Sequence, residues 1–360
     1  MMTSKLLNED LGRTMVRSVV PLKNPPWCEQ RQSGCRKFLW GISRVIPLHT
    51  LEMGNSHLRL WSRHTAALIA LLALIVCGLR SSGSQGLSAG RPTRPQRIIS
   101  LSPNITEILD GVGAFERVVA VSDFCDYPAA TQKLPRVGGW QTTSLEQVHA
   151  LRPDLVILTQ AQAPFVQGPL DSLGFKTLVV KGLTLQDTIQ AIGLIGKATG
   201  NEGEAENLTQ QVISKLDAVR SRTRQLVRPR VLCVVDRVPG TLRDIYTATQ
   251  GSFLSELIEI AGGECISPRA AEGYIKMSIE AVATLNPEIV IDMVQGAKGR
   301  FAENPTQVWQ QLSEIAAVRD GRIYPIRKTF VLHPSQFVAD TARSFGKIIH
   351  PEVFQNESSH

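Results

Sequence analysis

The sequence predicts an α/β protein of two similar lobes joined by a long rigid helix, with a ligand cleft between the lobes. Three observations carry this. Short apolar strands alternate with amphipathic helices across residues 97–350, a 14-residue unit occurs once in each half, and a long helical pattern lies between the halves. Such alternation builds parallel or mixed sheets covered by helices. The chain, at 360 residues, has room for two cores.

Taken in order, residues 1–52 read as an over-extended start or a disordered leader, with translation beginning at Met53. Residues 53–79 read as a signal peptide or membrane anchor. Arg59, Arg63 and His64 precede the run AALIALLALIV, which begins at Ala66 and is long enough for a signal core but shorter than a bilayer span. Cys77 follows Leu74-Ile75-Val76, as in the lipobox at which a bacterial signal is cleaved and its cysteine lipidated. Val76 stands where a small residue is usual, so lipidation at Cys77, an uncleaved anchor and cleavage nearby all stay open. Residues 80–96, rich in Gly, Ser and Pro, read as a flexible tether. The expected product is exported and held by a membrane tether on the periplasmic or other extracytoplasmic face.

Charge divides along the same line. Residues 1–96 hold 13 Lys/Arg against 4 Asp/Glu, leaving 26 against 28 for the remainder. The net +7 therefore belongs to the leader, and the body lacks the basic surface that nucleic-acid binding by counterion release requires.

The N-terminal lobe, 97–200, contains the strand patterns RIISL, VVAV, LVIL and TLVV. Helical patterns follow at 186–199 and 202–226; in the second, Leu208, Val212, Leu216 and Val219 recur at helical spacing. A connecting helix within 201–228 of about 25 residues is about 37 Å long, enough to reach from lobe to lobe. The C-terminal lobe, 229–350, contains RVLCVV, IYTA, IVID and IYPI, and residues 351–360 read as a tail. Cys125, Cys233 and Cys265 are odd in number and lack C-x-x-C spacing, which indicates neither a zinc site nor a disulfide framework. Cys233, within RVLCVV, reads as a buried small hydrophobe.

The repeat aligns SLEQVHALRPDLVI (144–157) with SIEAVATLNPEIVI (278–291) without a gap. Ser144 and Ser278 are placed to cap helices, Glu146 and Glu280 fall in first turns where the helix dipole favours negative charge, and Pro153 and Pro287 end the helices before a buried strand. One exposed carboxylate on each lobe suits docking on paired arginines of a partner better than catalysis. A purely helix-stabilising role is the alternative.

Six residues before each glutamate stands an aromatic, Trp140 in VGGWQTTSLE and Tyr274 in AEGYIKMSIE, placed by this reading on loops at the mouth of the cleft. Phe124 and Tyr127 in SDFCDYP and Tyr246 in RDIYTATQ extend the same wall, with an ordinary core role as the alternative for Tyr127. Aromatic faces so placed suit a large, flat or apolar ligand. Enzyme signatures are thin: GVGAFE is an incomplete Gly-rich fingerprint, no Walker loop or G-x-S-x-G occurs, and His149, His333 and His350 are far apart in sequence. His333, in TFVLHPSQ, is a candidate to face the cleft and touch a ligand or its metal centre. Asn104 to Glu107, in SPNITE, read as a helix-capping box.

RIISLSPNITEIL, VVAVSDFCDYPAATQKLPRVGGWQTTSLEQVHALRPDLVI, GSFLSELIEIAGGECI and SIEAVATLNPEIVI, in this order, resemble the ABC-importer solute-binding proteins with a helical backbone, the class III periplasmic binding proteins, and among them the vitamin B12-binding members. The likeness covers residues 97 to about 350. It implies a monomer whose two lobes open and close only slightly, whose ligand is cobalamin, and whose partners are a permease dimer and its ATPase. It implies that Phe124, Trp140, Tyr246 and Tyr274 surround the corrinoid and that Glu146 and Glu280 dock on the permease, with no catalysis and no resident cofactor. Tyr274 replaces a tryptophan of that pattern and Phe124 a tyrosine, Thr159 stands where another tryptophan is expected, and RKTFVLHPSQ lacks a clear acid–arginine pair. A ferric siderophore or haem is the alternative cargo. A periplasmic metal-dependent enzyme or metallochaperone using His149 or His333 is the alternative of another class, and a sensory or adhesive lipoprotein a third.

Overall fold

The structure, a computed structural model, describes residues 94–293 and 305–354. The signal segment, Cys77 and most of the tether lie outside the described residues, and among those described no helix is long and apolar enough to cross a membrane.

The first lobe is built on β1 (Ile98–Ser100), α1 (Pro103–Gly111), β2 (Val118–Val121), α2 (Leu145–Leu151), β3 (Leu155–Thr159), α3 (Ala163–Ser172) and β4 (Thr177–Val180). Its four strands are all parallel, in the order β2-β1-β3-β4. The sheet is covered by helices, and β1 and the Leu155–Leu158 stretch of β3 are buried on both faces, which is why they read as unbroken apolar runs.

Two helices then cross to the second lobe. α4 (Leu185–Thr199) opens with a reciprocal capping box, Thr184 Oγ1 accepting from the Asp187 N–H and Asp187 Oδ2 from the Thr184 N–H, each at 3.0 Å, and stops at Gly200 in the left-handed region. α5 (Glu202–Thr223) follows at once and is about 33 Å long. It ends three residues earlier than the sequence pattern suggests. Its last residue turns inward, the Thr223 hydroxyl donating to the Ile260 carbonyl at 2.7 Å.

The second lobe comprises β5 (Arg230–Asp236), β6 (Ile245–Ala248), α6 (Phe253–Ile260), β7 (Glu264–Cys265), β8 (Tyr274–Met277), α7 (Ile279–Leu285), β9 (Ile289–Met293), α8 (Pro305–Trp309), α9 (Ala316–Arg319), β10 (Ile323–Ile326), α10 (Val338–Ile349) and α11 (Pro351–Phe354). Its sheet is mixed, in the order β10-β9-β5-β6-β8, with β6 and β8 antiparallel to their neighbours and β7 beside the start of β5. Inside it, Asp292 on β9 is buried and accepts from Arg237 Nε at 2.9 Å and from Trp309 Nε1 at 2.8 Å. Cys125, Cys233 and Cys265 are free and buried, and desolvation raises all three thiols. Residues 351–354, read from sequence as tail, instead form a helix whose Phe354 is buried against Gly346.

The repeated unit has the same local structure in both lobes. Ser144 accepts from the Gln147 N–H and Ser278 from the Ala281 N–H, each helix is seven residues long, and each ends on a left-handed residue, Arg152 or Asn286, before the proline. The acid after the proline ties down the start of the neighbouring strand: Asp154 accepts from the Gln96 and Arg97 N–H groups, and Glu288 from the Arg230 N–H.

The lobes are joined by more than a helix. α5 packs on α1 and α4 and also on α6 and α10, so one apolar cluster continues from the first lobe into the second. Beside it runs a polar seam: the Phe253 N–H donates to the Leu183 carbonyl at 2.7 Å, the Leu185 N–H to Glu256 Oε2 at 2.6 Å, and Gln336 Nε2 to the Glu107 carbonyl at 2.7 Å.

Candidate functional site: the cleft between the lobes

A cleft of about 490 Å³ opens between the lobes, lined by Pro103, Phe124 and Trp140 from the first and Val235, Asp236, Tyr246, Tyr274, Leu332 and His333 from the second. Each wall is positioned by simple backbone logic.

On the first lobe, the chain turns tightly after β2. Gly138 adopts φ +99° and has the Thr142 carbonyl so close that a Cβ would sit 2.3 Å from its oxygen, so only glycine fits. This turn brings Phe124 over Gly139 and presents Trp140, whose ring leans on Phe165 at 5.7 Å between centroids. Phe124 is 63% exposed and Trp140 43%, so both rings offer uncovered faces.

On the second lobe the wall is one face of a sheet. Asp236 of β5 lies opposite Tyr246 of β6, and Tyr246 opposite Lys276 of β8. Tyr274, two residues before Lys276, is therefore the diagonal neighbour of Tyr246 on the same face. Tyr274 thus stands on a strand, where the sequence suggested a loop. Desolvation raises its phenol, which keeps it a neutral hydrogen-bond donor. Asp236 is at the C-terminal end of its strand, where α/β sheets present ligand-binding groups.

Leu332 and His333 come from the turn between β10 and α10, and Pro103 from the start of α1. Here sequence reading needed correction: Asn104 to Glu107 are not a capping box. Ser102 is the N-cap and makes no side-chain cap bond, while Glu107, 1% exposed, points into the junction of the lobes. Its Oε2 accepts from Ser335 Oγ and its Oε1 meets His333 Nδ1 at 2.6 Å. The local N-x-x-E spacing concealed a long-range partner.

Tyr127 is not among the lining residues. It packs edge-on against Phe337 at 5.1 Å, and desolvation and the neighbouring Asp110 raise its phenol. Thr159 is likewise outside the lining and bonds Gln162. His149 lies on α2 against Phe175, away from His333 in the cleft. Among the described residues no group of three or more His, Cys, Asp or Glu is arranged to hold a metal ion. Glu146 and Glu280 are exposed in the first turns of α2 and α7; hydrogen bonds from Ser278 and from its own backbone N–H lower the Glu280 carboxyl. Phe165, Asp236 and Glu107 are site-region residues that sequence reading missed.

Two helix-covered sheets, a rigid helical connection and an aromatic cleft at their junction define a two-lobed binding protein. Residues 98–329 match the model of the periplasmic binding protein family, and the chain belongs to that family. An uncharacterized ABC transporter substrate-binding lipoprotein of Bacillus subtilis is 26% identical over 265 residues, 72% of this chain and 82% of the relative. The vitamin B12-binding protein of Vibrio cholerae is 27% identical over 252 residues, 69% of this chain and 87% of the relative. The crystal structure of the periplasmic vitamin B12 binding protein of Vibrio cholerae superposes with a TM-score of 0.61 at 25% identity, covering 73% of this chain and 99% of that one. A periplasmic haem-binding protein of Roseiflexus, in apo form, shares the fold with a TM-score of 0.61 at 24% identity, covering 71% and 99%. The protein is thus the substrate-binding component of an ABC importer, which works with a permease and an ATPase, and its ligand is transported cargo.

Proposed function

We propose that the cleft captures cobalamin or a related corrinoid and that Glu146 and Glu280 then dock the loaded protein on its permease. The observation that carries the cargo is the character of the lining. Four aromatic rings face the cleft from both lobes, and the described lining residues include one acid, Asp236, and no lysine or arginine. A large, flat, predominantly uncharged ligand gains contact with the rings and brings no negative charge against Asp236. Haem carries two propionates and many ferric siderophores are anionic; either would bring negative charge against Asp236, with no lysine or arginine among the described lining residues to meet it. His333 is the observation favouring a haem or ferric chelate, since an imidazole is a ready metal ligand.

The paired glutamates support docking because each heads the same helix in a duplicated unit, six residues beyond a cleft aromatic. Exposed rim charges of this kind set encounter and register more than affinity.

The test is isothermal titration of residues 97–360 with cyanocobalamin, haemin and ferric siderophores. One-to-one cobalamin binding, weakened about tenfold by Trp140→Ala in line with the value of one aromatic contact, is expected. A siderophore or haemin signal without a cobalamin signal overturns the cargo and leaves the importer role standing.

A further inference from the structure

The contact between His333 and Glu107 is more than a structural bridge across the lobes. Glu107 is buried and both its carboxylate oxygens are engaged, Oε2 by the Ser335 hydroxyl and Oε1 by His333 Nδ1. As an acceptor, Oε1 takes the ring proton on Nδ1. With Nδ1 held against Oε1, Nε2 at the opposite edge of the ring is the nitrogen left to meet a ligand. His333 also lines the cleft, 18% exposed at its side chain. A carboxylate that holds one ring nitrogen and so fixes the orientation of an imidazole is the arrangement that supports histidine as a metal ligand.

The surroundings say which kind of metal. Among the described residues no group of three or more His, Cys, Asp or Glu is arranged to hold a metal ion, and His333 stands in the cleft as a single donor. A metal already held in the plane of a macrocycle needs only an axial donor, which one imidazole supplies, while the aromatic walls meet the macrocycle.

We infer that His333 is an axial ligand to the metal centre of the cargo, through Nε2, and that Glu107 is its positioning residue. This rests on the corrinoid reading for the identity of the macrocycle, but not for the ligation itself. The step is a ligand exchange: the Nε2 lone pair forms a bond to cobalt(III), a bound water leaves, and no electron is transferred. His333 thereby discriminates between cargoes with an exchangeable axial position and those with both positions filled.

The experiment compares diaquocobinamide, whose waters exchange, with dicyanocobinamide, whose axial positions are occupied, using the 97–360 body. The wild type is expected to bind the diaquo form at least tenfold more tightly, with a shift of its visible absorption on binding. His333→Ala should remove both the preference and the shift, and added imidazole should restore the shift. Glu107→Gln should reduce the preference about tenfold, within the range seen when outer-shell partners of metal-bound histidines are changed. His333→Gln, which keeps a hydrogen-bonding side chain against Glu107, guards against a folding defect and should behave like His333→Ala. Equal binding of both cobinamides by the wild type, with no spectral shift, overturns the inference and leaves the corrinoid reading intact. If no corrinoid binds and haemin does, the cargo reading fails. The haem absorption band then decides the ligation: a band altered by His333→Ala supports it, and an unaltered band overturns it.

Discussion

Asp292 illustrates what one side chain in this fold sustains. It is buried on β9 with the Arg237 guanidinium and the Trp309 indole both directed at the same carboxylate oxygen. Removing it takes away the buried carboxylate opposite the Arg237 guanidinium, so Asp292→Ala is expected to cost about 3–5 kcal/mol, read as a lowered urea midpoint. Asp292→Asn keeps an acceptor and should cost less. The same scale shows where sequence reading reaches its limit. Trp140 and Tyr274 were legible as cleft residues because they stand at matched offsets before the repeated helix; Phe124 and Tyr246, added to that wall as aromatics near turns, line the same cleft. Glu107 was not, because its partners lie 226 and 228 residues away while its nearest neighbours spell a helix start. Asp236 was missed for another reason. It ends an apolar strand and stands alone there, with no repeat or paired residue in the sequence to set it apart from the turn that follows.

Among the elements, the α4–α5 pair sets how closely the connecting helices approach. Gly196 faces α5, and a Cβ there would lie 2.3 Å from the Ala205 Cβ; Gly193, one turn earlier and exposed, has open space around it. The two glycines are therefore not equivalent. Gly193→Ala is expected to stabilise the protein by about 0.5–1 kcal/mol through helix propensity alone. Gly196→Ala is expected to cost about 1–3 kcal/mol by forcing the helices apart. Thermal or urea unfolding of the two variants side by side checks both signs. Most elements were legible: the eight strand patterns each became a strand, because they are apolar and bounded by turn residues. β7 and β8 were not. β7 has two residues, and β8 runs straight into the serine that caps α7, so its pattern is absorbed into the helix signal.

For the whole molecule, the duplicated unit gives each lobe one exposed glutamate in an equivalent setting, and the docking proposal depends on both together. Glu146→Lys with Glu280→Lys should abolish ligand-stimulated ATPase activity of the reconstituted importer while cobalamin affinity stays within about twofold. Stability should fall only slightly, since each change puts a cation in place of an acid at an exposed helix start. Unchanged stimulation would return both glutamates to a helix-capping role. The two-lobed plan was legible from this repeat. The seam that binds the lobes was not, because hydrogen bonds such as those between Leu183 and Phe253 or Leu185 and Glu256 leave no periodic trace in sequence.

That seam has a kinetic consequence. With a shared core and hydrogen bonds spanning the junction, the separation of the two walls is expected to change little when cargo arrives. Entry then requires no slow rearrangement, and arrival rates should differ little among molecules of similar size and charge. Discrimination is then expected to fall on residence time, through the rings of the walls and the imidazole proposed to ligate the metal. A retained cargo lasts until the permease meets the loaded protein; a poorly matched one departs first.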